Sequence, residues 1–160
     1  MKEEYVQKLS DTLTELKEIR KWINADRNKF DSKAKYLISY SVIKASGSIE
    51  VIFKNIIYDV LSDGAKEEAR QYLEKVILDS SCNPSAGNMS NILQNISSDW
   101  KTKFDDEVKK GGIKDKINSL VQLRNDFAHG DNIRVSIDTV IQYYEAAQKV
   151  LKILDSIVSK

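Results

Sequence analysis

Between about Ser32 and Leu61 the chain carries no proline and almost no polar face. Leu37, Ile38, Val42, Ile43, Ile49, Val51, Ile52, Phe53, Ile56, Ile57, Val60 and Leu61 fall on every side of a helix drawn through them. A helix that is apolar all round has to be enclosed by others, so this segment is expected to be the long central helix of an all-α bundle. Within it, Ala45-Ser46-Gly47-Ser48 is a patch of small residues where a neighbouring helix can approach closely, although Gly47 costs about 1 kcal/mol of helix propensity relative to alanine.

The flanking segments supply the partners. Val6, Leu9, Leu13, Leu16, Ile19 and Ile23 recur at the spacing of a helix with one buried stripe, which predicts a first helix from Tyr5 to about Asn24. Asp63-Gly64 ends the central helix, and a third is expected from Ala65 to about Asp79. The run Ser80-Ser81-Cys82-Asn83-Pro84-Ser85-Ala86-Gly87-Asn88 is turn chemistry and is expected to be an exposed loop. Short helices follow at about 89 to 97 and 98 to 110, closed by Gly111-Gly112. A sixth helix runs from about Ile113 to Ala128 and is stopped by Gly130-Asp131-Asn132. Ser136 then reads as the N-cap of a long C-terminal helix, with Asp138 in its first turn and a stripe from Ile137 to Val158.

With one proline and six glycines in 160 residues, 41% hydrophobic and 31% charged, the whole chain, 1–160, is expected to form a single all-helical domain. The single cysteine, Cys82, permits no intrachain disulfide and suggests a reducing, cytoplasmic setting. No signal-like or membrane-spanning apolar run is present, so no membrane partner is expected. A formal charge of +1 announces no nucleic-acid binder, and any basic site has to be local.

Three residues break the pattern of a plain bundle. At 100° per residue Arg124 falls among Ile113, Ile117, Leu120, Val121, Phe127 and Ala128, where an aliphatic side chain is expected. Burying an unpaired guanidinium costs several kcal/mol, on the order of a lost buried ion pair. Arg124 therefore needs a carboxylate, a cleft or an anionic ligand. Glu50, the only acid between Asp31 and Asp59, has the same problem on the central helix, and the two are expected to meet directly or through one water. The third is His129, the sole histidine, five residues after Arg124 and just before Gly130. It fits either a C-cap or a proton-transfer group.

The stretch Arg124-Asn125-Asp126-Phe127-Ala128-His129-Gly130, late in an all-helical chain and followed by one long helix, resembles the Arg-Asn-x-x-x-His motif of the HEPN superfamily. The downstream residues from Ile133 through Ser136-Ile137-Asp138 to Tyr143-Tyr144-Glu145 resemble the RiboL-PSP type in particular. The resemblance implies a HEPN-like helical bundle. It also implies a metal-independent endoribonuclease of a prokaryotic antiviral-defence or toxin–antitoxin system, with Arg124 and His129 as the catalytic pair, Asn125 beside them and two motifs meeting across a homodimer. An antitoxin or other defence-system protein is an implied partner. The superfamily also holds inactive members, so a silent module that binds a partner protein or a nucleotide is the alternative.

The chemistry can be stated without the family. Metal-free RNA cleavage needs a base for the ribose 2′-OH, an acid for the leaving 5′-oxygen and a cation at phosphorus. His129 suits the proton transfers and the Arg124 fork suits two phosphate oxygens. One histidine does not easily serve both transfers, whereas a symmetric dimer supplies two. With one histidine and one cysteine the chain offers no conventional zinc set, no phosphate-binding glycine loop is present, and no cofactor is expected. Asp105-Asp106-Glu107 point in three directions on a helix and read as a solvated face. Lys17, Arg20, Lys21, Arg27, Lys29, Lys33 and Lys35 outnumber Glu18, Asp26 and Asp31 around the first turn of the fold. With Trp22, Phe30 and Tyr36 interleaved, this is the candidate RNA-facing patch, Arg20, Lys21, Arg27, Lys29 and Lys33 being its core.

Overall fold

The computed structural model describes residues 1–25, 28 and 31–159. Among these there is no strand, and the helices are α1 (Glu3–Ile23), α2 (Ser32–Ser62), α3 (Glu67–Leu73), α4 (Ala86–Ile96), α5 (Ser98–Val108), α6 (Ile113–Ala128) and α7 (Ile137–Val158). A π-helical turn, Glu74–Leu78, continues α3, and a 3₁₀ turn, Lys110–Gly112, leads into α6. None of the helices is long and apolar enough to cross a membrane.

Local chemistry sets the helix starts. Asp31 accepts the Lys33 N–H at 2.8 Å, Ser85 the Asn88 N–H at 3.2 Å and Ser136 the Thr139 N–H at 3.1 Å, each side chain satisfying an amide that the first turn leaves without a partner. Glu3 and Glu4 open α1 and Arg20 and Lys21 close it, in the sense the helix dipole favours.

Helices α2 and α7 form the centre, with α1 in the groove on one side of the pair and α6 in the groove on the other. Three contacts fix α1 antiparallel to α7: the Met1 α-ammonium to Asp155 at 2.6 Å, Tyr144 OH to the Leu9 carbonyl at 3.2 Å, and Arg20 to Asp138 at 3.6 Å. Lys2–Asp59, Thr12–Ser48 and Lys44–Glu15 fix it antiparallel to α2. Helices α2 and α7 therefore run parallel, and the C-terminal ends of α1 and α6 meet the N-terminal ends of α2 and α7 at one end of the bundle. The candidate motif shares that end with Arg20, Lys21 and Lys33, the described cations at the core of the basic patch.

The core is built from Leu16, Ile49, Ile52, Phe53, Leu120, Tyr144, Leu151 and Leu154, all but inaccessible, with Met89, Leu93 and Phe104 joining it from α4 and α5. At the small-residue patch Ala45, Ser46 and Ser48 are buried. Ser48 accepts from Thr12 at 3.3 Å and lies 3.2 Å from Tyr144 OH, which donates to the Leu9 carbonyl, so three helices are joined by one buried hydroxyl chain. Burial pushes the Tyr144 phenol above its ordinary pKa, which keeps it neutral and able to donate.

Two expectations are corrected. The central helix is not enclosed on every side: Tyr36, Tyr40, Ile43, Gly47 and Val51, three to four residues apart, form an exposed line along α2. The segment after Leu78 is not a free loop. Cys82, Pro84 and Ala86 are buried, and the chain is tied down by the Cys82 N–H to Glu50 and the Ala86 N–H to Asn118 Oδ1 at 3.0 Å.

Candidate functional site

Helix α6 ends in a backbone lock. The Gly130 N–H bonds the Phe127 carbonyl at 3.0 Å and the Asp131 N–H bonds the Asp126 carbonyl at 2.9 Å, the paired bonds of a Schellman motif. The motif requires a left-handed residue after the cap, and Gly130, with φ of 87°, supplies it. His129 occupies the cap position itself, with its N–H on the Asn125 carbonyl at 3.0 Å. Since backbone amides already close the helix end, the imidazole is not needed there. It is exposed and makes no hydrogen bond among the described residues.

Arg124, one turn earlier, is half-buried where the core side of α6 runs out. Ile117, Leu120 and Val121 of its face are buried, but Phe127 is 42% exposed and Ala128 is exposed too. The expected apolar surround is thus present only on the N-terminal side of Arg124 along the helix. Its recorded bond is from Nη1 to Asn125 Oδ1 at 3.3 Å, and among the described residues it makes no salt bridge.

The expected Glu50–Arg124 pair is not formed directly. Glu50 Oε1 lies 3.1 Å from Lys54 Nζ, one helical turn along α2, and accepts the Cys82 N–H at 3.1 Å. Lys54 also donates to the Leu78 carbonyl at 3.2 Å and to that of Ser80. Glu50 is an anchor for the segment after α3, and its charge is answered locally. Burial, with the Glu50 charge behind it, raises the Cys82 thiol above its ordinary pKa.

Of the basic patch, Lys21 and Lys33 are exposed, and Arg20 is half-buried and spent partly on Asp138. Arg27 and Lys29 lie outside the described residues. Helices α1 and α6 flank opposite sides of the α2–α7 pair, so Arg20, Lys21 and Lys33 approach the motif from across the bundle end and do not line it. The acidic run is a paired surface: Asp105 meets Lys101 at 2.7 Å, Asp106 meets Lys109 at 3.8 Å and Glu107 meets Lys110 at 2.6 Å.

Beside the motif lies a groove of about 250 Å³ between α6 and α7, lined by Ser119, Gln122, Leu123, Arg134, Val135 and Tyr143. Sequence reasoning passed over it because it forms only when the α6–α7 connection folds back along α6. The one available signal was Arg134, the lone cation of that connection. A larger cavity, about 700 Å³, lies at the opposite end of the bundle near Tyr5, Asp59, Arg70 and Asp155. Its charged groups largely answer one another, Lys2 with Asp59 and the Met1 ammonium with Asp155, and it is remote from His129.

Among known proteins, no curated protein and no solved structure matched the chain. The sequence model of the RiboL-PSP-HEPN family matches residues 10–160, which takes in every helix from within α1 onward and the whole Arg124–His129 segment, and the chain belongs to that family.

Proposed function

We propose that this protein is a metal-independent endoribonuclease of a prokaryotic defence or toxin–antitoxin system. The observation that carries the reading is the state of Arg124: a half-buried arginine at the edge of the core, held by Asn125 and, among the described residues, answered by no carboxylate. A structural arginine in such a place is normally paired, because desolvated charge is costly. An arginine awaiting a phosphate is not.

In this reading Arg124 clamps the scissile phosphate with its planar fork and stabilises the charge that grows on it. His129 moves protons: it removes one from the ribose 2′-OH or delivers one to the departing 5′-oxygen. The 2′-oxygen forms a bond to phosphorus as the bond to the 5′-oxygen breaks, leaving a 2′,3′-cyclic phosphate and a 5′-hydroxyl. Two histidines, one from each protomer of a symmetric dimer, divide the base and acid roles. The exposure of Phe127 and Ala128 beside Arg124 supports a second copy at this face, since a core-like surface is left open next to the site.

The test is incubation of purified protein with mixed single-stranded RNA in EDTA. Cleavage with cyclic-phosphate ends is expected, DNA is expected to resist, and His129→Ala is expected to lose roughly 10²-fold or more in rate. Cleavage that vanishes with EDTA, or an unchanged rate in His129→Ala, would overturn the assignment. No cleavage of any RNA would favour a silent binding module.

A further inference from the structure

The groove between α6 and α7 has a chemistry of its own. Leu123 and Val135 give it apolar walls and Tyr143, half-buried, an aromatic one. Its polar groups are not equivalent. Gln122 Nε2 donates to the Asp126 carboxylate at 2.6 Å; a carboxylate can only accept, so the amide orientation is fixed and, among the described residues, Oε1 is left as a free acceptor. Ser119 Oγ spends its hydrogen on the Asp115 carbonyl at 2.8 Å, which leaves it too as an acceptor. Arg134, exposed and without a salt bridge among the described residues, brings a fork of donors. The groove thus brings two acceptors and one donor fork to a partly apolar lining.

Among the nucleobases, guanine presents the complementary set. Its O6 and N7 accept a bidentate arginine, and its N1–H and N2–H donate along the adjoining edge. Adenine and cytosine place an amino donor where guanine has O6, facing the arginine, and uracil lacks the amino donor that would face the second acceptor. The groove volume of about 250 Å³ takes one purine and not a whole nucleotide chain. Its position suits a base next to a reacting phosphate, since Gln122 and Leu123 directly precede Arg124 and Arg134 lies five residues beyond His129 in the same connection.

We propose that this groove is a guanine-binding subsite, which holds a guanine base adjacent to the phosphodiester at Arg124 and His129. The choice of an RNA strand as the source of that base rests on the ribonuclease reading; the guanine chemistry itself does not.

Two measurements separate the two. In the first, cut sites in a mixed single-stranded RNA are mapped at nucleotide resolution for the wild-type chain, Arg134→Ala and Gln122→Leu, with Tm recorded for each. Guanine is expected at one fixed position relative to the cut, and its enrichment is expected to fall roughly tenfold to a hundredfold in Arg134→Ala, the loss of one bidentate base contact. In the second, ¹⁵N-labelled protein is titrated with GMP, AMP, CMP and UMP, and the amides of Ser119, Leu123 and Val135 are expected to respond to GMP first. Cuts placed without regard to base, or a guanine preference unchanged in both variants, would overturn the subsite and leave the ribonuclease standing. GMP-specific shifts without cleavage of any RNA would retain the subsite as one for a free guanine nucleotide and overturn the ribonuclease. Neither cleavage nor GMP-specific shifts would remove both.

Discussion

Arg124 Nη1 donates to Oδ1 of its neighbour Asn125 at 3.3 Å, a bond between consecutive residues that aims the guanidinium without cancelling its charge. An aspartate at 125 would hold the arginine more strongly and would also compete with phosphate. The amide leaves the full positive charge available.

Asn125→Ala is therefore expected to reduce RNA cleavage by roughly tenfold to a hundredfold through misplacement of the guanidinium. Asn125→Asp is expected to be as poor or worse, although it keeps an acceptor at the same place. Thermal stability should change little in either variant. Rates equal to wild type in both would show that Asn125 does not position Arg124.

Glu50 gives a contrasting case, because its work is structural. Glu50→Ala removes the acceptor of the Cys82 N–H and the partner of the half-buried Lys54 ammonium, and should destabilise the fold by about 2 kcal/mol. Glu50→Gln keeps an acceptor and should cost less. In the native protein burial holds the Cys82 thiol pKa high, so little reactive thiolate forms near neutral pH and alkylation is slow. Release of the segment in Glu50→Ala should quicken iodoacetamide labelling of Cys82 well above the native rate. Unchanged labelling and unchanged melting would show that Glu50 does not anchor it.

The positions of Arg124 and His129 on α6 were legible in the sequence and the partners of Glu50 were not, and the difference is physical. Position along a helix is set by a 100° step, so Arg124 could be placed against Ile117 and Leu120 from spacing alone, and the end of α6 could be read from Gly130. Glu50 stands far from any other acid, but a basic residue answers it within one helical turn. Lys54, four residues on and on the same face, is a helical neighbour, and the Cys82 amide arrives from a segment whose path is tertiary. The same limit explains Phe127. Periodicity says which way a side chain points but not where along the helix the core stops, so spacing puts Phe127 on the buried face although it is exposed. The Gln122–Arg134 groove was illegible for a third reason, since both walls exist only once residues 129–136 fold back on α6.

Gly130 tests whether the backbone lock sets the site. Its φ of 87° lies in the left-handed region, where an L side chain costs about 1 kcal/mol or more, although the space over the residue is open. Gly130→Ala should lower Tm by roughly 2–4 °C, the shift such a loss gives a domain of this size. Gly130→Asn, which tolerates this region better, should lose less. If the lock holds His129 in register with Arg124, the alanine variant should lose cleavage beyond what its stability loss explains, and Asn should partly restore it. Equal activities at equal folded fraction would uncouple the turn from the chemistry.

Phe127 is the residue to question about assembly. It stands 42% exposed on the turn between Arg124 and His129, while Ile117 and Leu120 on the same helix are inaccessible. Ala128 beside it is exposed as well, so the apolar side of α6 passes from core to solvent at the candidate site. Covering such a surface with the same surface of a second copy would remove apolar area from water and bring two Arg124–His129 sets together. Phe127→Asp places a charge where that contact would form and leaves the monomer core untouched, because its side chain is not part of it. The expected outcome is a dimeric mass for the wild-type chain at micromolar concentration in light scattering and a monomeric mass for Phe127→Asp, with an unchanged helical circular dichroism spectrum. Cleavage should fall with dimer content if each centre uses the partner's histidine, as proposed above. Mixing Phe127→Asp with His129→Ala should not restore it, as the aspartate still opposes the contact. A wild-type chain that is monomeric throughout and still cleaves RNA would show that one histidine suffices and that Phe127 is exposed for another reason.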